Sequence, residues 1–338
     1  MIKKYKFSLI IIILVAILFI MNSRNKSMVY TTNINGVMDT ITDITLITKQ
    51  DGKKYIDDVS ELIEKYDKMF SHTNEESDIY RLNHNSTTSV SYETYEIIEK
   101  SKELFKETNG SFDITVGAVS NLWNDTFEGG DLPDENEIKK ALATVDYNSL
   151  NLADNNVIKT ISSQKINLGA VAKGYIADKL KLYLEENKID NALINLGGNI
   201  YAKGKNQSGK YWNVGVLEPN TKNSLLTLRI SDKFVITSGN YFRYRDINSK
   251  RYHHIIDAKN GYPADNELNS VTIVSDNGFL GDALSTSCFL VGYEKSKLLL
   301  EKYDVCAIFV TKDNKIYYSK ELNNSMEKTA PDYEFIEF

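Results

Sequence analysis

Lys173-Gly174-Tyr175-Ile176-Ala177-Asp178-Lys179-Leu180-Lys181-Leu182-Tyr183-Leu184-Glu185-Glu186-Asn187, followed shortly by Ala192-Leu193-Ile194-Asn195-Leu196, is the stretch where the chain changes character. Ile176, Leu180 and Leu184 recur one turn apart and make one stripe of a helix. Beyond it strand patterns dominate: Ala192 to Leu196, Trp212 to Leu217, Leu226 to Ile230, Phe234 to Thr237, Tyr252 to Ile256 and Val271 to Ser275. A helix over Phe279 to Val291 interrupts them, and Val305 to Val310 closes the set. Toward the N-terminus, Asp43 to Thr48 alternates as a half-buried strand does, and Ile56, Val59, Ile63, Tyr66 and Phe70 recur at three and four as in an amphipathic helix. Another helix runs from Glu93 to Thr108 and stops at Asn109-Gly110, a left-handed exit. Helices and strands mix without regular β-α-β alternation, so the expected fold class is α+β, in one globular domain, rather than doubly wound α/β.

Composition narrows the function. Hydrophobic residues make up 42% of 338, enough to bury a core. Lys and Arg number 40 against 46 Asp and Glu, a net charge of −6, which argues against nucleic acid as a partner. Cys288 and Cys306 are the two cysteines, too few for a disulfide scaffold, and each sits in an apolar run where a buried thiol is ordinary. At the N-terminus Lys3, Lys4 and Lys6 precede Phe7 to Met21, whose one polar residue is Ser8. That run is shorter than the roughly 17–25 residues of a usual spanning helix. No small-residue cleavage site follows it, and no nearby cysteine can carry a lipid. Residues 1–27 are therefore expected to be an uncleaved signal anchor, with 28–338 as one domain outside the membrane, because basic residues before the span stay on the cytoplasmic side. Secretion after cleavage is the alternative.

Four stretches could carry chemistry. Asn167-Leu168-Gly169-Ala170-Val171-Ala172-Lys173-Gly174-Tyr175 is a glycine-bounded turn entering a helix, where free N–H groups and Lys173 would attract a phosphate, unless it is a plain tight turn. Asp282 and Thr286 lie one helical turn apart and offer oxygen ligands suited to Mg²⁺; equally, Asp282 could favour the helix dipole while Thr286 bonds a backbone carbonyl. His253 and His254, two of four histidines, point to opposite faces of a strand and cannot chelate one metal together; one is a candidate for acid–base work. Gly110-Ser111-Phe112-Asp113-Ile114-Thr115-Val116-Gly117 could line a planar ligand or simply pack.

The order of these pieces resembles the ApbE-type FAD:protein FMN transferases. Met38-Asp39-Thr40, then Phe70-Ser71 with Ser77 to Asn83, then Gly110 to Trp123, each match successive elements of that family. Gly169 to Gly174, Leu196-Gly197-Gly198, Trp212 to Val216 with Glu218-Pro219, Thr237-Ser238-Gly239, His253 to Pro263 and Asp282 to Thr286 continue the likeness, which spans about residues 34 to 320. The resemblance implies that FAD is bound as substrate by Met38, Tyr80, Phe112, Asp113, Ile114, Asn167, Lys173 and the backbone at Ile256. It also implies that Mg²⁺ is held by the carbonyl of Ala170, the carboxylate of Asp282 and the hydroxyl of Thr286. Asn167 stands where the family commonly has Asp, Asp39 where it has Gly, and Ser285 where some members place a second acid.

The implied reaction moves FMN from FAD to a Thr or Ser hydroxyl of an extracytoplasmic or membrane acceptor flavoprotein, a redox-complex subunit or an extracellular electron-transfer protein, and releases AMP. Charge on both phosphates must be neutralised, for which Lys173, Asp282 with Mg²⁺ and the helix N-terminus are candidates. His254 or Asp282 is the expected base. The rival readings are Mg²⁺-dependent hydrolysis of FAD to FMN and AMP, and a non-catalytic FAD-binding protein.

Overall fold

Consecutive apolar residues in the strands point to opposite faces, and here both faces are buried. Phe234 and Ile236 enter one core and Val235 another; Ala307 and Phe309 divide from Ile308 and Val310, and Ile273 from Val274, in the same way. Such strands need cover on both sides. The computed structural model, which describes residues 27–338 other than 86, 220 and 222, supplies it with helices over one face and a small antiparallel sheet over the other. Apart from Ser27, the expected anchor lies outside the described residues.

In chain order the elements are β1 (Met28–Val37), β2 (Thr40–Thr48), α1 (Gly52–Phe70), α2 (Asp78–His84), β3 (Thr87–Ser89), α3 (Tyr92–Glu107), α4 (Gly117–Phe127), α5 (Glu135–Leu142), β4 (Leu150–Ala153), β5 (Asn156–Lys159), α6 (Ala172–Glu186), β6 (Asn191–Leu196), β7 (Asn199–Lys203), β8 (Trp212–Leu217), β9 (Ser224–Ile230), β10 (Lys233–Gly239), β11 (Tyr244–Ile247), β12 (Lys250–His253), β13 (Leu268–Ser275), α7 (Gly278–Val291), α8 (Tyr293–Leu300), β14 (Cys306–Thr311), β15 (Lys315–Tyr318), β16 (Met326–Lys328) and β17 (Glu334–Glu337). The main sheet runs β1-β2-β6-β7-β10-β13-β14-β15-β17 and is antiparallel except at β15–β17. The class is α+β, as the mixed pattern predicts.

Local chemistry fixes the elements that matter for the site. Asp51 caps α1 by accepting from Lys53 N, and Ser91 caps α3 by accepting from Thr94 N. Asn109 and Gly110 both adopt positive φ and end α3 as expected. Thr237-Ser238-Gly239, Asn199 and Leu196 share one end of the sheet, because β10 pairs antiparallel with β7 and β7 with β6.

Three expectations need correction. Val305 to Val310 does not close the set: β15, β16 and β17 follow, each only three or four residues long and so without a readable period. The strand expected over Tyr252 to Ile256 ends at His253, and Ile256 instead makes an isolated bridge to Pro263. Only Cys288 of the two cysteines is fully buried; Cys306 is half-buried.

Candidate active site

Close backbone contact and several polar groups meet where α6 crosses α7. Gly174 and Gly278 let the helices touch: a Cβ on Gly174 would sit 2.2 Å from Gly278 O and 2.6 Å from Asp282 Cβ, a separation no side chain tolerates. Asp178, one turn further along α6, accepts from Gly278 N at 2.7 Å and Phe279 N at 2.8 Å and so holds the first turn of α7. The crossing aims Asp282 back at α6, where its Oδ2 accepts from Gly174 N at 2.8 Å.

Asp282 is only 4% exposed. Burial pushes its pKa up, against the opposing pull of Lys173 and the Gly174 N–H. Asn199 flanks it from the start of β7, yet its buried Nδ2 has no hydrogen-bond partner among the described residues. One turn beyond Asp282, Thr286 Oγ1 lies 3.0 Å from Ser238 Oγ, which also lies 2.8 Å from Ser285 Oγ. Ala170 stands just ahead of α6. Among the described residues no group of three or more His, Cys, Asp or Glu is placed to hold a metal. A buried carboxylate short of positive charge, beside hydroxyls, nevertheless fits a small hard cation that takes few protein ligands, all oxygen.

The two histidines part company. His253 is 3% exposed, sits against the edge of Phe289, and is held by Ala264 O on Nε2 and Ile255 N on Nδ1, at 2.9 and 3.3 Å. Those partners fix it as a neutral ring with the proton on Nε2, and burial pushes its pKa down to about 4. His254 lies just past β12 and reaches solvent. Its backbone N donates to Arg243 O at 3.0 Å, and its Nδ1 lies 3.3 Å from the same carbonyl. An Nδ1–H facing that carbonyl leaves Nε2 free as an acceptor. Desolvation lowers the His254 pKa from the ordinary imidazole value, aided by the positive charges of Arg243 and Lys173. Lys173 thus acts electrostatically on both Asp282 and His254 and joins the α7 and β12 sides of the site.

The remaining candidates lie on other elements. Asn83 on α2 clamps Ile166 with both amide atoms, at 3.0 and 2.6 Å, and so ties the helix carrying Tyr80, which stacks on His84, to the start of the Asn167–Gly169 turn. Asn167 N donates to Ile114 O at 2.7 Å, and Asn167 Oδ1 accepts from Gly169 N at 2.8 Å. The side chains of Phe112 and Ile114 belong to the main core, and Asp113 is buried with its Oδ1 taken by Thr115; only their backbone edge remains for a ligand. Ile256 is buried in a small cluster with Val119, Trp123 and Ile138. Met38 and Asp39 form the β1–β2 turn, both at φ +53°, with Met38 N donating to Asp67 Oδ1.

Sequence reasoning alone does not reach Asn199 or Asp178, while Ser238 lies inside the quoted Thr237-Ser238-Gly239 motif without a role assigned to it. Asn199 borders Gly197-Gly198; Asp178 gives no signal, because a helix-capping carboxylate supplied from another helix has no local pattern.

Comparison with known proteins places the chain in a family. A sequence model of the ApbE family matches residues 38–309. The chain is 35% identical over 269 residues to a FAD:protein FMN transferase of Klebsiella pneumoniae, covering 77% of this chain and 83% of that protein. It is 32% identical over 282 residues to one of Treponema pallidum, covering 77% and 78%. Its fold is similar to the ApbE protein of Thermotoga maritima, with TM-score 0.80, 29% identity and coverage of 88% of this chain and 99% of that one. With a family model spanning most of its length and relatives this similar, the chain belongs to the ApbE family.

Proposed function

We propose that the chain transfers FMN from FAD to a Ser or Thr hydroxyl of an acceptor protein, releases AMP, and requires Mg²⁺. The observation that carries this reading is the convergence of Asp282, Lys173 and a neutral His254 from separate elements, in a chain whose relatives are named FAD:protein FMN transferases. The hydroxyl oxygen forms a bond to the FMN-side phosphorus, the bond from that phosphorus to the bridging oxygen breaks, and AMP departs with the electron pair. Ala170 O, Asp282 and Thr286 would hold Mg²⁺, which would supply charge neutralisation at the pyrophosphate. Lys173 and the N–H groups opening α6 add positive charge on the same phosphates. FAD is held by Met38, Tyr80, Asn167, Ile256 and the backbone of Phe112 to Ile114.

His254 Nε2 is the better base. Asp282 already accepts from Gly174 N and is nearly enclosed, whereas the His254 ring is neutral, oriented by Arg243 O and open to an incoming hydroxyl. Phe242, 51% exposed, and Tyr244 flank Arg243 beside that opening, which suits a polypeptide acceptor better than water alone. The domain is extracytoplasmic, on an N-terminal anchor, and its acceptors are membrane redox subunits or extracellular electron-transfer proteins with a Ser/Thr flavinylation motif.

The test is incubation of the purified chain with FAD, Mg²⁺ and such an acceptor. An FMN mass increment on the acceptor, lost in EDTA, is expected. Free FMN with an unlabelled acceptor would overturn the transfer reading, and equal labelling in EDTA would overturn the metal.

A further inference from the structure

At the end of the main sheet remote from Asp282 lies a basic pocket that the proposed reaction does not use. β7 runs from Asn199, beside Asp282, to Lys203, about 13 Å along the strand. The chain then turns at Gly204, φ +57°, and enters β8 at Trp212, whose Nε1 donates to Lys203 O at 2.9 Å. This turn and the paired residues Asn213 and Arg229 enclose a pocket of about 500 Å³ lined by Lys205, Asn206, Lys210, Tyr211, Asn213 and Arg229. No carboxylate lines it. The side chains of Lys205, Lys210 and Arg229 are exposed and have no hydrogen bond or ion pair to any described residue. Asp232, in the neighbouring β9–β10 turn, accepts from Gly204 N and Ser231 Oγ at 3.1 and 2.6 Å. Three unpaired cations around one pocket, in a chain of net charge −6, suit an anion. Tyr211 beside them is 55% exposed, and an amphipathic ring of that kind favours the headgroup level of a bilayer.

The path of the chain says which anion. Met28 opens β1 at this same end: Met28 pairs with Thr48, Ile47 with Asn191, and Asn191 Oδ1 accepts from Lys205 N at 2.7 Å. Three strand spacings, about 14 Å, separate β1 from β7. The apolar run Phe7 to Met21 ends seven residues before Met28, a reach of at most about 25 Å. We propose that this pocket binds the phosphate headgroups of anionic phospholipid, so that the domain stands on the membrane by its Lys205–Arg229 end with Asp282 and His254 facing away. The inference rests on the N-terminal anchor proposed above.

The test uses the full chain in detergent, in phosphatidylcholine nanodiscs and in phosphatidylcholine–phosphatidylglycerol nanodiscs, with lysine acylation followed by peptide mass spectrometry. Lys205 and Lys210 should label at least about fivefold more slowly in the anionic discs than in the neutral ones, with the exposed Lys259, in the turn after Asp257, unchanged. Arg229→Gln should weaken that protection. Entry into the discs with equal labelling in both overturns this inference alone; failure to enter them overturns the anchor and the inference together. Equal protection by millimolar inorganic phosphate in detergent overturns the lipid assignment in favour of a free anion.

Discussion

The proposed site has two halves built to different standards. On the α6–α7 side, backbone meets backbone at Gly174 and Gly278, Asp178 holds the start of α7, and Asp282 is enclosed. On the other side, His254 hangs from a carbonyl at the edge of the β11–β12 ribbon, which forms a two-stranded sheet of its own and exposes Phe242 and Tyr244. The contrast teaches where the reaction demands fixed geometry. Phosphates must be met by charges that do not move, while the side that admits a second protein has to stay open.

The largest break should come from Gly174→Ala. Its new Cβ would collide with a backbone carbonyl rather than a flexible side chain, so the helices must part and Asp282 must shift. A stability loss of about 3 kcal/mol is expected from such overpacking, with a fall in kcat of roughly a hundredfold, as a displacement of about 1 Å can cause. Denaturant melts and single-turnover transfer check both; an unchanged kcat would mean that the tight crossing does not position the site.

A second effect sits at the root of the ribbon. His253 has a pKa of about 4 when folded and an ordinary one near 6.5 when unfolded, so the unfolded chain takes up the proton first. The stability this residue gives is present above pH 6.5 and drains away as pH falls toward 4, with a loss of about 2 kcal/mol at pH 5. In urea melts at pH 7 and pH 5, His253→Gln should lose less stability over that interval than the parent chain. Equal losses would show that His253 is not held neutral.

Phe242→Ala sharpens the contrast from the open side. A half-exposed ring at the rim should leave the unfolding free energy unchanged within about 0.5 kcal/mol, yet raise KM for the acceptor several-fold with KM for FAD constant. A matching rise for FAD would move Phe242 to the flavin side. Smallest is Asp39→Gly. Asp39 sits at φ +53°, where glycine carries no Cβ penalty, so a gain of about 1 kcal/mol is expected in a denaturant melt. A loss would show that the Asp39 side chain holds the turn.

Much of the rigid half was legible. The stripe of Ile176, Leu180 and Leu184 gave α6, the apolar run from Phe279 gave α7, and the resemblance placed Lys173, Asp282 and Thr286 on them. The open half was less so. His253 and His254 were read on one strand, but the strand stops between them, because Ile256 pairs with Pro263 instead of extending β12. β1 was missed because an edge strand of Thr31, Thr32, Asn33 and Asn35 has little apolar period, and α4 because Gly117, Ala118 and Ser120 leave its first turn without a stripe. Phe112 and Ile114 show a further limit: motif order finds the segment, but only packing tells whether the side chain or the backbone faces the ligand.

The most direct measurement is the rate of AMP release from FAD, with and without an acceptor bearing a Ser/Thr flavinylation motif. Release should be slow with FAD and Mg²⁺ alone, rise by orders of magnitude on adding the acceptor, and fall back when the acceptor hydroxyl is changed to Ala. Rapid release that ignores the acceptor would contradict the account and make the chain a FAD pyrophosphatase.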